Sequence, residues 1–132
     1  DHGAPWLADE LDVVLEGPRP HLFVLPLTRA SELRIVSFLA SATEVEQGTI
    51  VAECVVRLAT GREIWLPIRA GIDTAEWAWD RPDVRPVVKH RQAEIYSSFP
   101  VREGFLGHQY SSVLGLPGRF FVSGLRFRVG RA

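Results

Sequence analysis

The chain has 132 residues and a mass of 14.8 kDa, which suits one domain with a core of its own and no need of a disulfide or metal staple. Hydrophobic residues make up 46% and charged residues 23%, which excludes a disordered chain, and no apolar run approaches the roughly 18 residues of a membrane-crossing helix. The net charge of −1 excludes the overall electrostatic footprint of a nucleic-acid binder, and the single cysteine excludes an internal disulfide framework.

Taken in chain order, the dominant pattern is period two, broken at short intervals by nine prolines and eleven glycines. Short strands are predicted at Leu11–Leu15 and His21–Leu27. Across 33–40, Leu33, Ile35, Ser37 and Leu39 alternate with Arg34, Val36, Phe38 and Ala40. Gly48 then opens a strand over Thr49–Leu58, with Ile50, Ala52, Cys54, Val56 and Leu58 on one face. Thr60-Gly61-Arg62 reads as a hairpin turn, because glycine tolerates the positive φ that such turns require. The return strand puts Ile64, Leu66 and Ile68 on the core face, with Glu63, Trp65 and Arg69 opposite.

Beyond the hairpin, Thr74–Trp79 allows a helical turn, which Pro82 and Pro86 prevent from growing. Strands follow at Ala93–Phe99 and His108–Leu116, the latter expected to turn at Pro117-Gly118. The last strand, Phe120–Val129, is expected to share Phe121, Leu125, Phe127 and Val129 on one face, with Arg126 and Arg128 on the other. Many short antiparallel strands without long helices predict an all-β fold, an antiparallel β-sandwich or jelly roll over a single domain 1–132. The absence of methionine and the start at Asp1 lead to the expectation that the chain is cut from a longer one.

Charge is uneven along this one domain: residues 1–66 carry five Arg against ten acids, and residues 67–132 carry ten Lys and Arg against six. Interleaved strands would let the two halves pair, and self-complementation is favoured over anion binding. Lys89 is the sole lysine, a bias best read as coding composition.

The segment Leu33–Val84 resembles a galactose-binding-like jelly roll. More narrowly, it is similar to the accessory β-sandwich of large bacterial polytopic membrane proteins and membrane glycosyltransferases. The features that carry the likeness are Gln47-Gly48-Thr49, the hairpin at Gly61-Arg62, the loop Arg69–Trp77, Asp80-Arg81-Pro82-Asp83-Val84 and His90. The strands Tyr110–Leu116 and Phe120–Val129 extend it to about residues 33–129. The resemblance implies an extracytoplasmic (periplasmic or cell-surface) accessory domain tethered to the membrane through its parent protein, with a carbohydrate or glycolipid headgroup as partner. A structural calcium occurs in that family, yet its backbone ligands cannot be read from sequence, so no metal ligand and no cofactor are assigned.

The densest candidate site lies in one proline-bounded loop: Glu76, Trp77, Trp79, Asp80 and Arg81, with Arg69 at its start. Aromatic rings stack on the C–H face of a pyranose, while carboxylates and guanidinium groups fix its hydroxyls. Trp77 and Trp79 would share a face in extended chain. Against that use stands a plug at the sheet end, which is favoured because large aromatics are usually buried. Arg69 and Arg81 are expected to pair with Asp73, Glu76 or Asp83 rather than clamp an anion. Trp65 is expected to pack under the loop beginning at Arg69, with a binding platform on the sheet as its other use.

His108 and Tyr110 would add to the rim of the site, whereas His2, His21, His90 and His108 lack metal-ligand spacing. Cys54 reads as an inert small hydrophobe. No G-x-S-x-G, P-loop, dinucleotide or H-E-x-x-H motif is present, and the acids of the loop are too close in sequence to flank a cleft. A non-catalytic binding domain is expected, with a structural module docking on its parent or a partner subunit as the alternative.

Overall fold

The computed structural model describes residues 21–129, and for His21 and residues 23–26 the backbone alone. The predicted strand at Leu11–Leu15 lies outside the described residues, as does His2. Five strands carry the fold: β1 (His21–Ser37), β2 (Ile50–Leu58), β3 (Glu63–Arg69), β4 (Ile95–Pro100) and β5 (Leu106–Val129). They form one antiparallel sheet in the order β1-β5-β2-β3, with β4 also on β5. No helix occurs among the described residues, and the all-β antiparallel class is as expected.

Strand β5 organises the rest. One of its edges follows β1 from Ser37↔Tyr110 to His21↔Phe127. Its other edge takes β4 near its start, through Ser98↔His108, and β2 near its end, through Cys54↔Phe127. The expected turn at Pro117-Gly118 is therefore corrected: residues 116–119 form an irregularity within one strand. The β1 register passes from Ala30↔Phe120 to Glu32↔Gly115, absorbing the extra residues of β5 as a bulge. For the same reason the predicted strands at His21–Leu27 and 33–40 are parts of one strand, which ends at Ser37.

A second irregularity changes a face assignment. Pairing runs Leu58↔Val122 and then Arg57↔Gly124, leaving Ser123 as the extra residue. A one-residue insertion inverts the inside–outside alternation. Phe120 and Val122 consequently face the core on one side of Ser123, and Leu125 and Phe127 on the other. Phe121, expected to share a face with Leu125 and Phe127, is exposed on the other one, with the Arg29 guanidinium 5.9 Å from its ring centre.

The hairpin β2–β3 forms as its alternation predicts, with Val56↔Ile64, Cys54↔Leu66 and Ala52↔Ile68 in register. Gly61 sits at φ 91°, where a side chain would be strained. Pro67 is tolerated because β3 is an edge strand. Cys54, Val56, Leu58, Ile68, Leu114 and Val122 are at the centre of the core. A valine such as Val56, with no exposed surface, contributes about 1.5–3 kcal/mol on burial. Burial pushes the Cys54 thiol up to about 12, consistent with a packing role.

Candidate functional site

The predicted loop is held by its own polar groups. Chain segments 38–49 and 70–94 cover the start of β5 through backbone bonds: Leu39 N–H to the Ala75 carbonyl, Trp77 N–H to the Leu39 carbonyl, and His108 N–H to the Trp77 carbonyl. The buried Glu76 carboxylate accepts from Ala42 N–H at 2.7 Å and Ala78 N–H at 3.3 Å. It thus ties the two segments together and has no face turned to a ligand. The Tyr110 hydroxyl donates to the Glu76 carbonyl at 2.9 Å, and burial pushes that phenol up to about 12.

His90 belongs to the same network. Its Nε2 accepts from Glu76 N–H at 3.1 Å and its Nδ1 lies 2.8 Å from the Val45 carbonyl. A carbonyl only accepts, so the ring carries its proton on Nδ1. Gln47 adds another tie, accepting from Arg91 N–H at 2.7 Å and donating to the Gly71 carbonyl at 3.0 Å. Gly71 has φ 77° and stands so close to the Gln47 amide that a Cβ would fall 2.0 Å from Oε1. Only glycine suits this position.

The arginines of the loop pair internally, as expected. Asp73 Oδ2 accepts from Arg69 N–H at 2.8 Å and from Arg69 Nε–H at 3.1 Å, while its Oδ1 accepts from Ser112. Arg81 Nε is 2.7 Å from Asp83 Oδ1 on the surface. The two tryptophans part company. Trp77 lies parallel to Phe99 within 6°, with ring centres 6.3 Å apart, and tilts against Phe105. Gly107 makes room for them, since a Cβ there would come within 2.5 Å of the Phe99 ring and 3.0 Å of Trp77. Trp79 donates from Nε1 to the His90 carbonyl at 3.0 Å and carries the Arg85 guanidinium 5.7 Å from its ring centre. Each half-buried indole thus has its own set of partners, and the two rings do not form one coplanar platform.

Asp80 and His108 are brought together. His108 Nε2 is 2.6 Å from Asp80 Oδ2, and His108 Nδ1 is 2.7 Å from Ser98 Oγ. The histidine was legible as a rim residue; Ser98 was not, because it meets His108 only through the β4–β5 register.

Trp65 corrects another expectation. It does not pack beneath the loop but stands on the outer sheet face, 49% exposed, in one row with Val55 and Arg126. The guanidinium groups of Arg126 and Arg128 lie 5.8 and 5.9 Å from its ring centre. Glu63 holds Arg126 at 3.3 Å and Glu53 holds Arg128 at 3.0 Å. Each of these half-exposed pairs is worth about 1 kcal/mol or less and each cation–π contact about 0.5–1 kcal/mol, so their main effect is to orient the groups around the indole. Beside this cluster runs an open groove of about 520 Å³, bordered by Leu22, Val55, Arg57, Glu63, Gly124 and Arg126. The signal in the sequence was the polar face of the hairpin, with Trp65 between Glu63 and Arg69.

No group of three or more His, Cys, Asp or Glu side chains arranged to hold a metal ion occurs among the described residues. Comparison with known family models, curated proteins and solved structures gives no match for this chain.

Proposed function

We propose that this β domain is a carbohydrate-binding accessory module whose site is the outer face of β3, β2 and β5, centred on Trp65. One observation carries the reading: of the three described tryptophans, Trp65 is the exposed one, and it stands among two oriented arginines and two carboxylates beside an open groove. An indole face takes the C–H face of a pyranose, and Arg126, Arg128, Glu53 and Glu63 offer donors and acceptors to its hydroxyls. The ligand is a glycan or a glycolipid headgroup. The resemblance of residues 33–129 supports a place outside the cytoplasm, on a parent membrane protein.

Titration with neutral and acidic oligosaccharides, followed by tryptophan fluorescence, tests this reading. A saturable change is expected in the unaltered chain and in the Trp77→Phe variant, and its loss in Trp65→Ala with the far-ultraviolet spectrum unchanged. Silence of the unaltered chain across the panel would remove the reading.

A second reading, a module docking on its parent or a partner subunit, is favoured by a different surface. Val36, Phe38 and Val113 are exposed on β1, the segment just after it, and β5. Clustered apolar exposure of this kind suits protein contact.

A further inference from the structure

Ser98, His108 and Asp80 form a continuous hydrogen-bonded array at the end of the sheet where β4 joins β5, a region the carbohydrate reading does not use. Ser98 is directly opposite His108 in the strand register, and its Oγ is 2.7 Å from His108 Nδ1. On the other side of the ring, Nε2 is 2.6 Å from Asp80 Oδ2. A carboxylate only accepts, so Nε2 carries the proton and Nδ1 keeps its lone pair, leaving the Ser98 hydroxyl as donor to the ring. Hydroxyl to imidazole to carboxylate is the order that activates a serine for acyl transfer. The two ring nitrogens exchange places relative to the serine-protease arrangement, and either can serve as the base. Exposure also fits: the His108 side chain is 4% exposed and that of Asp80 30%, whereas Ser98 is open to solvent. The base is shielded and the nucleophile is reachable.

We infer that Ser98 is a nucleophile toward uncharged esters with a short acyl group, with His108 as its general base and Asp80 as a positioning residue. Tyr96 and Leu106 are both exposed on the same β4–β5 ribbon, two residues from Ser98 and from His108 respectively. Strand β4 pairs only with β5 among the described strands, so alternate N–H groups on its free edge point to solvent.

In the first step Ser98 Oγ bonds to the ester carbonyl carbon while its proton passes to His108 Nδ1. The resulting imidazolium returns that proton to the leaving alkoxide, the C–O bond breaks, and an alcohol departs from acyl-Ser98. Water then attacks the acyl carbon in the same manner, releasing the carboxylic acid and restoring the hydroxyl.

The probe is a fluorophosphonate, which forms a P–O bond to an activated serine with loss of fluoride; adducts are mapped on the full chain by peptide mass spectrometry. Ser98 is expected to be labelled, with p-nitrophenyl acetate hydrolysed in parallel and both signals lost in Ser98→Ala while its far-ultraviolet spectrum and melting remain those of a folded chain. Asp80→Asn is expected to lower the labelling rate about 100-fold or more. The melting temperature of that variant should stay unchanged, a pattern that a purely structural Asp80 would not produce. Absence of an adduct on Ser98 in the folded chain would overturn the inference. So would labelling of Ser97 and Ser111 at the same rate, or an Asp80→Asn rate equal to that of the unaltered chain.

Discussion

The loop region over the start of β5 and the outer face of β3–β2–β5 are built from the same residue types and use them oppositely. In the loop, Glu76, Asp73 and Trp79, and beneath it Tyr110 of β5, direct their polar atoms at backbone or side chains of their own chain. On the sheet face, Glu53, Glu63, Arg126 and Arg128 pair at the surface around an exposed indole. A buried carboxylate with all its bonds made internally is structural cement, because freeing it to bind a ligand would strand the backbone donors it serves. A surface ion pair costs little to rearrange, so its groups stay available. Richness in Trp, Asp, Glu and Arg thus marks two different things, and burial tells them apart.

The largest expected break in this contrast comes from Glu76. Replacing it by Gln sets an amide N–H₂ against one of the two backbone donors, Ala42 N–H or Ala78 N–H, and should cost about 2–4 kcal/mol in urea denaturation. Gly71→Ala comes next: a Cβ at φ 77° presses into the Gln47 amide and disturbs its bonds to Arg91 and Gly71. A loss of about 1–3 kcal/mol is expected by the same measurement.

Alkaline pH sharpens the contrast from the buried side. Folding raises the Cys54 thiol from 9.0 to about 12 and the Tyr110 phenol from 10.0 to about 12, in both cases chiefly through burial. Between those values the unfolded chain has released protons that the folded chain keeps, so stability falls as pH rises from about 9 toward 12. Denaturation midpoints measured at pH 8 and pH 11 should show the drop, and Cys54 should react with a thiol reagent only on unfolding. The smallest stability effect belongs to Trp65→Ala, under about 1 kcal/mol, because its ring is half exposed.

How much of this was legible in the sequence depended on range. The β2–β3 hairpin was readable because its alternation and its glycine turn are local; the register runs in step from Ala52↔Ile68 to Arg57↔Glu63, and only a bulge at Val51, which packs on the core where Ile50 was expected, departs from it. Strand β5 was not, because Pro117-Gly118 carries the same local signal whether the chain reverses or bulges. Pairing with β1 on both sides of that point decides the matter. Phe121 was misplaced for a related reason, since the extra residue Ser123 inverts the alternation without any mark in its composition. The site divided similarly. The residue types in the loop were visible, but the partners that saturate them are backbone groups of Ala42, Ala78 and His90, which no side-chain pattern announces. The exposure of Trp65 depended on what covers the outer sheet face, a tertiary fact.

The most direct test of the central claim follows the indole N–H signals of the chain by nuclear magnetic resonance during titration with the oligosaccharides. The account predicts that the Trp65 signal shifts in a saturable way, while those of Trp77 and Trp79 stay in place. Movement of the Trp77 or Trp79 signal with Trp65 unmoved would contradict it and return the binding site to the loop.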